Sequence, residues 1–200
     1  KMEARGVKNI AWIVDTNDGI FTSGKKLLVA PSDFAGLKIR GLNKLFDAGL
    51  EAMGASPSAM PGSEVYQALQ TGVLDAGLTG VKAAYSRKYY EIQKYGAASN
   101  IILAFDNLVV NPAWWNGLPP DIRSAIQAAA DRAVKRSIRA TDGVPPEDIK
   151  VLVDKGMQAV ALTRAQEKAM ADAMQPAVKK EFLRATAPDG VRLLELIDRL

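Results

Sequence analysis

The sequence predicts an α/β fold, in which short apolar strands alternate with helices. A strand at Leu37–Arg40, a helix from Asn43 to Met53 and a returning strand at Ala55–Met60 form one such unit. A helix over Glu64–Thr71 and a strand over Val73–Leu78 follow after short turns. This alternation is typical of a parallel sheet with right-handed crossovers, and ligands of such sheets bind beyond the carboxyl ends of the strands.

Length and composition restrict the possible functions. The chain has 200 residues, of which 48% are hydrophobic and 24% charged, which is enough for one large or two small cores. Cysteine and histidine are both absent. This excludes disulfides, thiolate metal sites and histidine-based triads, and it argues against a zinc site. We therefore expect no metal, no cofactor and no enzymatic activity.

The net charge of +4 and the pI of about 9.2 raise the question of a nucleic-acid ligand. The basic residues are spread along the chain and mixed with acids rather than gathered on one element. One group, Arg132, Lys135, Arg136 and Arg139, shares a helical face opposite an apolar stripe, which is typical of a solvated surface. We expect no nucleic-acid partner.

The N-terminal part begins with two predicted strands. Asn9–Val14 is a continuous apolar run with β-branched residues, which predicts a strand buried on both faces. Residues 16–19 break this run. A second short strand is predicted at Leu27–Ala30, ended by Pro31, which cannot donate a ladder hydrogen bond.

The middle of the chain contains the longest predicted strand and the longest predicted helix. The apolar run Asn100–Val110 predicts the strand. Trp114 and Trp115 form a short helical turn, and a long helix then starts with proline in its first turn and continues to Thr141. Residues 143–146 interrupt it.

The C-terminal part is predicted to be mainly helical. A helix over Glu147–Lys155 is followed by a short strand at Met157–Leu162. Thr163–Gln166 has the pattern of a capping box, which marks the start of the next helix. Pro176 is expected to kink or divide that helix, and Val191–Leu200 reads as a terminal amphipathic helix.

Arg40 is the main candidate for a ligand contact. It closes the strand at Leu37–Arg40, and Gly41 after it is expected to keep the approach to the guanidinium open. A guanidinium carries five donors in a planar fork and stays charged, so it suits bidentate capture of a carboxylate. The alternative for a single strand-end arginine is a solvated surface position.

Three segments, GLKIR, GASPSAMPGSEVYQALQTGVLDAG and YYEIQKYGAASNIIL, resemble the solute-binding subunits of TRAP transporters, the dicarboxylate-receptor type of periplasmic binding protein. The resemblance is in the same order along the chain and spans most of it. It implies a type II-like binding-protein fold with two lobes and a long connecting helix, and it implies that Arg40 pairs with the substrate carboxylate. The N-terminal part of the first lobe is expected to be missing from this chain.

The resemblance also implies further ligand-binding candidates. Ile20 occupies a position where many members have a second basic residue. The alternative for Ile20 is that it caps a core together with Phe21. Thr79 stands where an asparagine can contact substrate, and Asn43 corresponds to a pocket asparagine, although it equally suits a helix cap. Gly62, in the turn after Pro61, completes this set. Ile20 and Thr79 together favour a less polar monocarboxylate, a 2-oxo acid or an aromatic acid over a C4-dicarboxylate.

The resemblance implies a periplasmic receptor that captures an organic acid and delivers it to the TRAP membrane permease. It divides the chain into a second-lobe α/β core (1–104), a returning first-lobe strand and long helix (105–143) and second-lobe C-terminal helices (144–200). Two alternatives stay open, namely an enzyme on the same architecture and a non-binding structural or oligomerising fragment. For a fragment, self-association through Trp12, Trp114 and the strand at Ile101–Val110 is expected.

Overall fold

The computed structural model describes residues 2–139 and 144–197, in which helices and strands alternate as an α/β protein. The strands are β1 (Lys8–Thr16), β2 (Gly19–Ser23), β3 (Lys38–Gly41), β4 (Ser56–Ala59), β5 (Ala76–Thr79), β6 (Tyr95–Ser99), β7 (Ala104–Val110) and β8 (Gln158–Ala161). The helices are α1 (Lys44–Ala52), α2 (Val65–Gln70), α3 (Val81–Ser86), α4 (Pro112–Gly117), α5 (Pro120–Arg139), α6 (Pro146–Val153), α7 (Arg164–Thr186) and α8 (Asp189–Ile197). Short 3-10 helices lie at Glu3–Arg5, Pro31–Phe34 and Tyr89–Glu91.

The chain divides into two compact units. The first comprises Lys1–Asp18 and Ile102–Gly143, and the second comprises Gly19–Ile101 and Val144–Leu200. The division expected from the sequence kept residues 1–104 together. In the structure, residues 1–18 belong to the same unit as β7, because β1 pairs with β7.

The first unit is built on an antiparallel pair of strands. β1 pairs with β7, and α5 packs against β1 around the buried residues Ile10, Ala11, Trp115 and Ala130. The expectation that β1 is buried on both faces is wrong, since Trp12 is 54% exposed. Within the described residues β1 has one strand neighbour and one helix packed on it, which leaves part of its surface uncovered.

The second unit contains a six-stranded sheet in the order β4-β3-β5-β2-β6-β8. β3 runs parallel to β4 and β5, and β6 runs parallel to β8, as the alternation predicted. β2 is antiparallel to both of its neighbours, β5 and β6. The sheet is therefore mixed, and the prediction of a parallel sheet fails at β2.

The predicted strand at Leu27–Ala30 is also wrong, because the strand lies earlier, at β2, and a 3-10 helix follows at Pro31–Phe34. The backbone N–H groups of Val29 and Ala30 both donate to the carboxylate of Asp33, at 3.0 and 2.9 Å. Since these two donors are used locally, they do not join a strand ladder.

Helix boundaries followed local signals in most cases. The helix predicted from Asn43 to Met53 is observed as α1, which begins after Asn43 and is followed by Gly54 in the left-handed region, at φ +83°. The capping box of Thr163 with Gln166 is present at the start of α7. Ser63 does not cap α2, whose N-cap position is occupied by Glu64 without a side-chain cap.

The C-terminal helices differ from the prediction at one point. α7 continues through Pro176 to Thr186, so the proline does not divide the helix. The predicted end of the long helix at Thr141, the break at Gly143 and the chain end at Leu200 lie outside the described residues. No described helix is long and apolar enough to cross a membrane.

Candidate anion-binding site

Arg40 lies at the end of β3 in the second unit, where its side chain is half-buried. Its Nη1 donates to the carbonyl of Leu78 at 2.6 Å, and its Nε contacts the carbonyl of Met60 at 3.4 Å. Two of its five donors are thus directed at backbone oxygens, while Nη2 has no hydrogen bond to any described residue. The side chain is held in place and still has donors for an external acceptor, which does not fit a freely solvated arginine.

A second arginine, Arg87, also contacts the end of β5. It follows α3 and is half-buried, and its Nη1 donates to the hydroxyl of Thr79 at 3.0 Å. Thr79 is the last residue of β5 and is 5% exposed. The structure therefore brings Thr79 to the arginines, as a partner of Arg87.

The turn that contains Gly62 borders both guanidinium groups. An ideal Cβ built on Gly62 would lie 2.6 Å from Cζ and from Nη1 of Arg87, which is closer than real Cβ contacts. Arg87 therefore occupies space that any side chain at position 62 would fill. Arg40 contacts this turn through the carbonyl of Met60 and contacts the end of β5 through the carbonyl of Leu78. Arg87 lies beside Gly62 and bonds to Thr79, so both guanidinium groups lie between residues 60–62 and residues 78–79.

The two charges influence each other and a neighbouring phenol. Burial lowers the pKa of Arg40 from its ordinary value, the nearby Tyr89 raises it and the charge of Arg87 lowers it. Burial raises the pKa of Tyr89, whereas the charges of Arg40 and Arg87 and a side-chain hydrogen bond with Arg87 lower it by less. An arginine remains charged in proteins despite such shifts, so the site carries two positive charges next to a neutral phenol at pH 7.

No carboxylate among residues 2–139 and 144–197 forms an ion pair with either Arg40 or Arg87. Two half-buried guanidinium groups without an internal anion form a place where a bound anion would be stabilised by charge and by directed N–H donors. The described residues also contain no group of three or more acidic side chains that could hold a metal ion.

Asn43 and Gly41 have clear structural roles. The side-chain oxygen of Asn43 accepts from the N–H groups of Leu45 and Phe46, both at 3.0 Å, and so caps α1. The space beside Gly41 is occupied by the carboxylate of Asp47, which accepts from the N–H of Leu42 at 2.9 Å. Asp47 therefore gives a local reason for glycine at position 41, and the expectation that Gly41 keeps the approach to Arg40 open stays a prediction.

Ile20 is placed in the core. It is 0% exposed, belongs to the buried cluster of the second unit and pairs with Thr79 through the β2–β5 ladder. A ligand at the arginines would not touch this side chain without displacing the core. The structure accordingly agrees with the core alternative for Ile20 and does not bring its side chain to the site.

A separate open depression of about 360 Å³ is lined by Tyr66, Ser86, Arg87, Lys88 and Glu91. Tyr66 donates to Glu91 at 2.9 Å across it. Arg87 is shared, but Arg40 and Thr79 do not line this depression, so it is distinct from the place where the two arginines meet.

Sequence reasoning missed Arg87. A signal was present, since the residue comes shortly after Thr79 at the end of a short helix, and an arginine side chain is long enough to return toward the strand end. Nothing local distinguishes it from its neighbour Lys88, however, and the contact with Gly62 is made between distant parts of the sequence.

Comparison with protein families gives a match to the family described as "Bacterial extracellular solute-binding protein, family 7" over residues 1–185. The C4-dicarboxylate-binding periplasmic protein DctP of Rhodobacter capsulatus is 33% identical over 174 residues, covering 84% of this chain and 50% of that protein. The 2,3-diketo-L-gulonate-binding periplasmic protein YiaO of Escherichia coli K12 is 29% identical, with 100% of this chain and 60% of that protein covered. The chain thus spans half to three-fifths of the length of these relatives.

Solved structures of similar fold include a TRAP periplasmic solute-binding protein from Desulfovibrio salexigens with bound orotic acid. It superposes with a TM-score of 0.86 at 28% identity and covers 99% of this chain and 63% of that one. A TRAP solute-binding protein from Shewanella oneidensis with bound succinate gives a TM-score of 0.79 at 29% identity, covering 96% and 62% of the two chains. Both of these neighbours hold a carboxylate.

Proposed function

The chain belongs to the family 7 bacterial extracellular solute-binding proteins, and on that premise we propose that it captures an organic acid through the carboxylate group of that acid. Arg40 is the proposed anchor. The receptor would work in the periplasm, the compartment that appears in the names of its relatives. There it would deliver its ligand to a TRAP-type permease in the membrane. No bond is made or broken in this role.

The observation that carries the proposal is that Arg40 is held in place by backbone carbonyls but has no carboxylate partner among the described residues. Its guanidinium is half-buried, oriented by the carbonyl groups of Leu78 and Met60, and not paired with any carboxylate of the described chain. An oriented, partly desolvated guanidinium is costly to leave without an anion and binds a carboxylate with little further ordering. The strand-end position also agrees with the general location of ligands in such sheets.

The other candidates contribute in different ways. Thr79 and Gly62 support the proposal indirectly, since both contact Arg87. Asn43 retains two amide protons that are not used in capping, and we propose that they contact the ligand. Ile20 is left out of the proposed contact set because its side chain is buried in the core.

A ligand screen tests the proposal. Thermal unfolding is recorded with a panel of organic acids, including succinate, malonate, L-malate and orotate, and the positive compounds are titrated by calorimetry. At about 100 times its dissociation constant a ligand stabilises the folded protein by about 2.7 kcal/mol. The same panel is applied to Arg40→Met, which keeps an unbranched apolar stem and removes the guanidinium and its charge.

We expect at least one acid to raise the melting temperature of the wild-type protein and to lose this effect in Arg40→Met. Uncharged amides of the same acids serve as negative controls. If no acid binds, or if acids stabilise wild type and Arg40→Met equally, the proposed carboxylate receptor is wrong.

A further inference from the structure

We infer that Arg87 is a second anion-binding residue beside Arg40 and that it directs the site toward organic acids with two anionic groups. This inference rests on the proposed carboxylate receptor and adds the class of ligand. The missing basic residue at position 20 had favoured a monocarboxylate. Arg87 supplies a second cation to the site from a different element, the end of α3.

The first argument is geometric. Arg40 and Arg87 each contact the end of β5, one through the Leu78 carbonyl at 2.6 Å and the other through the Thr79 hydroxyl at 3.0 Å. Adjacent residues of one strand therefore orient both guanidinium groups. A molecule bound by one arginine is within reach of the other.

The second argument concerns charge balance. Arg87 lies close enough to lower the pKa of Arg40, so the two positive charges repel each other across the site. Tyr89 is the other titratable group that influences Arg40, and it is neutral at pH 7 because burial raises its pKa. A monoanion leaves one of the two charges uncompensated, whereas a dianion neutralises both.

The third argument is that Arg87 is poorly explained as a purely structural clamp. The described chain offers the guanidinium of Arg87 two neutral oxygens, the Thr79 hydroxyl at 3.0 Å and the phenol oxygen of Tyr89, and no carboxylate. The fork of a guanidinium is matched best by an anionic acceptor such as a carboxylate, which takes two parallel N–H bonds. Neither neutral oxygen compensates the charge of Arg87, which leaves the guanidinium without an anionic partner among the described residues.

Gly62 provides the space for this arrangement. A Cβ at this position would overlap the guanidinium of Arg87 at 2.6 Å from Cζ and 2.7 Å from Nη2. The overlapping group is the end of a flexible side chain, so Gly62→Ala should displace Arg87 without unfolding the protein. The absence of a side chain at Gly62 thus allows the guanidinium of Arg87 to occupy its position.

The test compares matched probes that differ in one charge. Calorimetric affinities are measured for succinate against succinamate and for malonate against malonamate, in which an amide replaces one carboxylate. The proteins are wild type, Arg87→Met, Gly62→Ala and the control Arg192→Met, which removes an exposed arginine on α8.

We expect wild type to prefer at least one dianion over its monoamide by about tenfold or more, the scale of one charge-assisted contact. Arg87→Met should lose this preference while its affinity for the monoamide changes by less than about threefold. Gly62→Ala should reduce the preference partly, and Arg192→Met should retain it.

The possible failures are distinguishable. If acids bind with dependence on Arg40 but Arg87→Met keeps the full preference for the dianion, the role of Arg87 is wrong and the proposed receptor stands. Wild-type protein that binds both members of each pair equally also overturns the dianion inference alone. If no acid binds to wild type, the proposed function and this inference both fail.

Discussion

Arg40 donates from Nη1 to the carbonyl of Leu78 at 2.6 Å and thereby ties the end of β3 to the end of β5. The two strands are neighbours in the sheet, with Ile39 paired to Ala76. The guanidinium is consequently fixed by the fold before any ligand arrives. Such preorganisation lowers the entropy lost on binding and explains why a strand-end arginine suits this role.

Replacing Arg40 with lysine should weaken carboxylate binding about tenfold or more, because an ammonium keeps the charge but not the planar fork. The unfolding free energy should fall by about 1 kcal/mol, since the bond to Leu78 is lost. Calorimetry and urea unfolding measure the two effects. Arg192→Lys is the matched control, and an Arg40→Lys protein with wild-type affinity would contradict the assignment.

Asn43→Ser separates capping from ligand contact. Serine caps helices about as well as asparagine, so stability should change by less than about 0.5 kcal/mol, while Asn43→Ala should lose about 1 kcal/mol. Because serine lacks the amide donors, carboxylate affinity in Asn43→Ser should fall by about threefold or more if these donors contact the ligand. Unchanged affinity would leave Asn43 with the cap of α1 alone.

Asp33 should make stability depend on pH in the acidic range. Partial burial raises the pKa of Asp33, but the Lys26 ammonium and the N–H groups of Ala30 and Val29 lower it further, so the net pKa is below its ordinary value. A depressed pKa means that the stabilisation is fully present above the unfolded pKa of about 3.9 and is lost as the pH falls through the folded value.

Asp33→Ala should therefore cost about 1–2 kcal/mol at pH 7, and the difference from wild type should shrink below about pH 4. Urea unfolding at a series of pH values measures it. Asp154→Ala removes an exposed partner of Lys150 and should change stability little at any pH. A difference at Asp33 that is the same at pH 7 and pH 3 would show that its charge is not involved.

Gly49→Ala should destabilise the protein although alanine is the better helix former. A Cβ at Gly49 would lie 2.7 Å from Cε of Met174 and 3.1 Å from Cγ2 of Val178, at the packing of α1 on α7. Overpacking of this kind costs about 1–3 kcal/mol. Gly117→Ala has no atom within 4 Å of the added methyl and should be neutral or stabilising by denaturant unfolding. Equal effects of the two substitutions would rule out the packing argument.

The apolar surface of the first unit should promote association between copies. Trp12 is 54% exposed and lies edge-on to Phe105, itself 48% exposed, at 6.4 Å between ring centroids. Light scattering should show a mass that rises with concentration, and Trp12→Lys should reduce it. Val191→Lys changes an exposed apolar residue of α8 and should have little effect. A protein that is monomeric over the whole concentration range would contradict this prediction.

The amino-acid sequence by itself determined the α/β class and many local boundaries. Asn43 and Gly54 mark the ends of α1, and Thr163 with Gln166 marks the start of α7, because these signals act between residues three or four positions apart. The same locality placed Arg40 at a strand end. At Leu27–Ala30 local propensity was misleading, since Asp33 withdraws two backbone donors from any ladder.

Only the tertiary structure decided the direction of β2, the burial of Ile20 and the meeting of Arg87 with Gly62, Thr79 and Arg40. Each depends on which strands become neighbours and on which side chains then compete for the same space. Those outcomes arise from contacts between residues far apart in the chain, which no short window of sequence encodes. The second positive charge of the site therefore became visible only once β3, β5 and the turn at Gly62 were assembled.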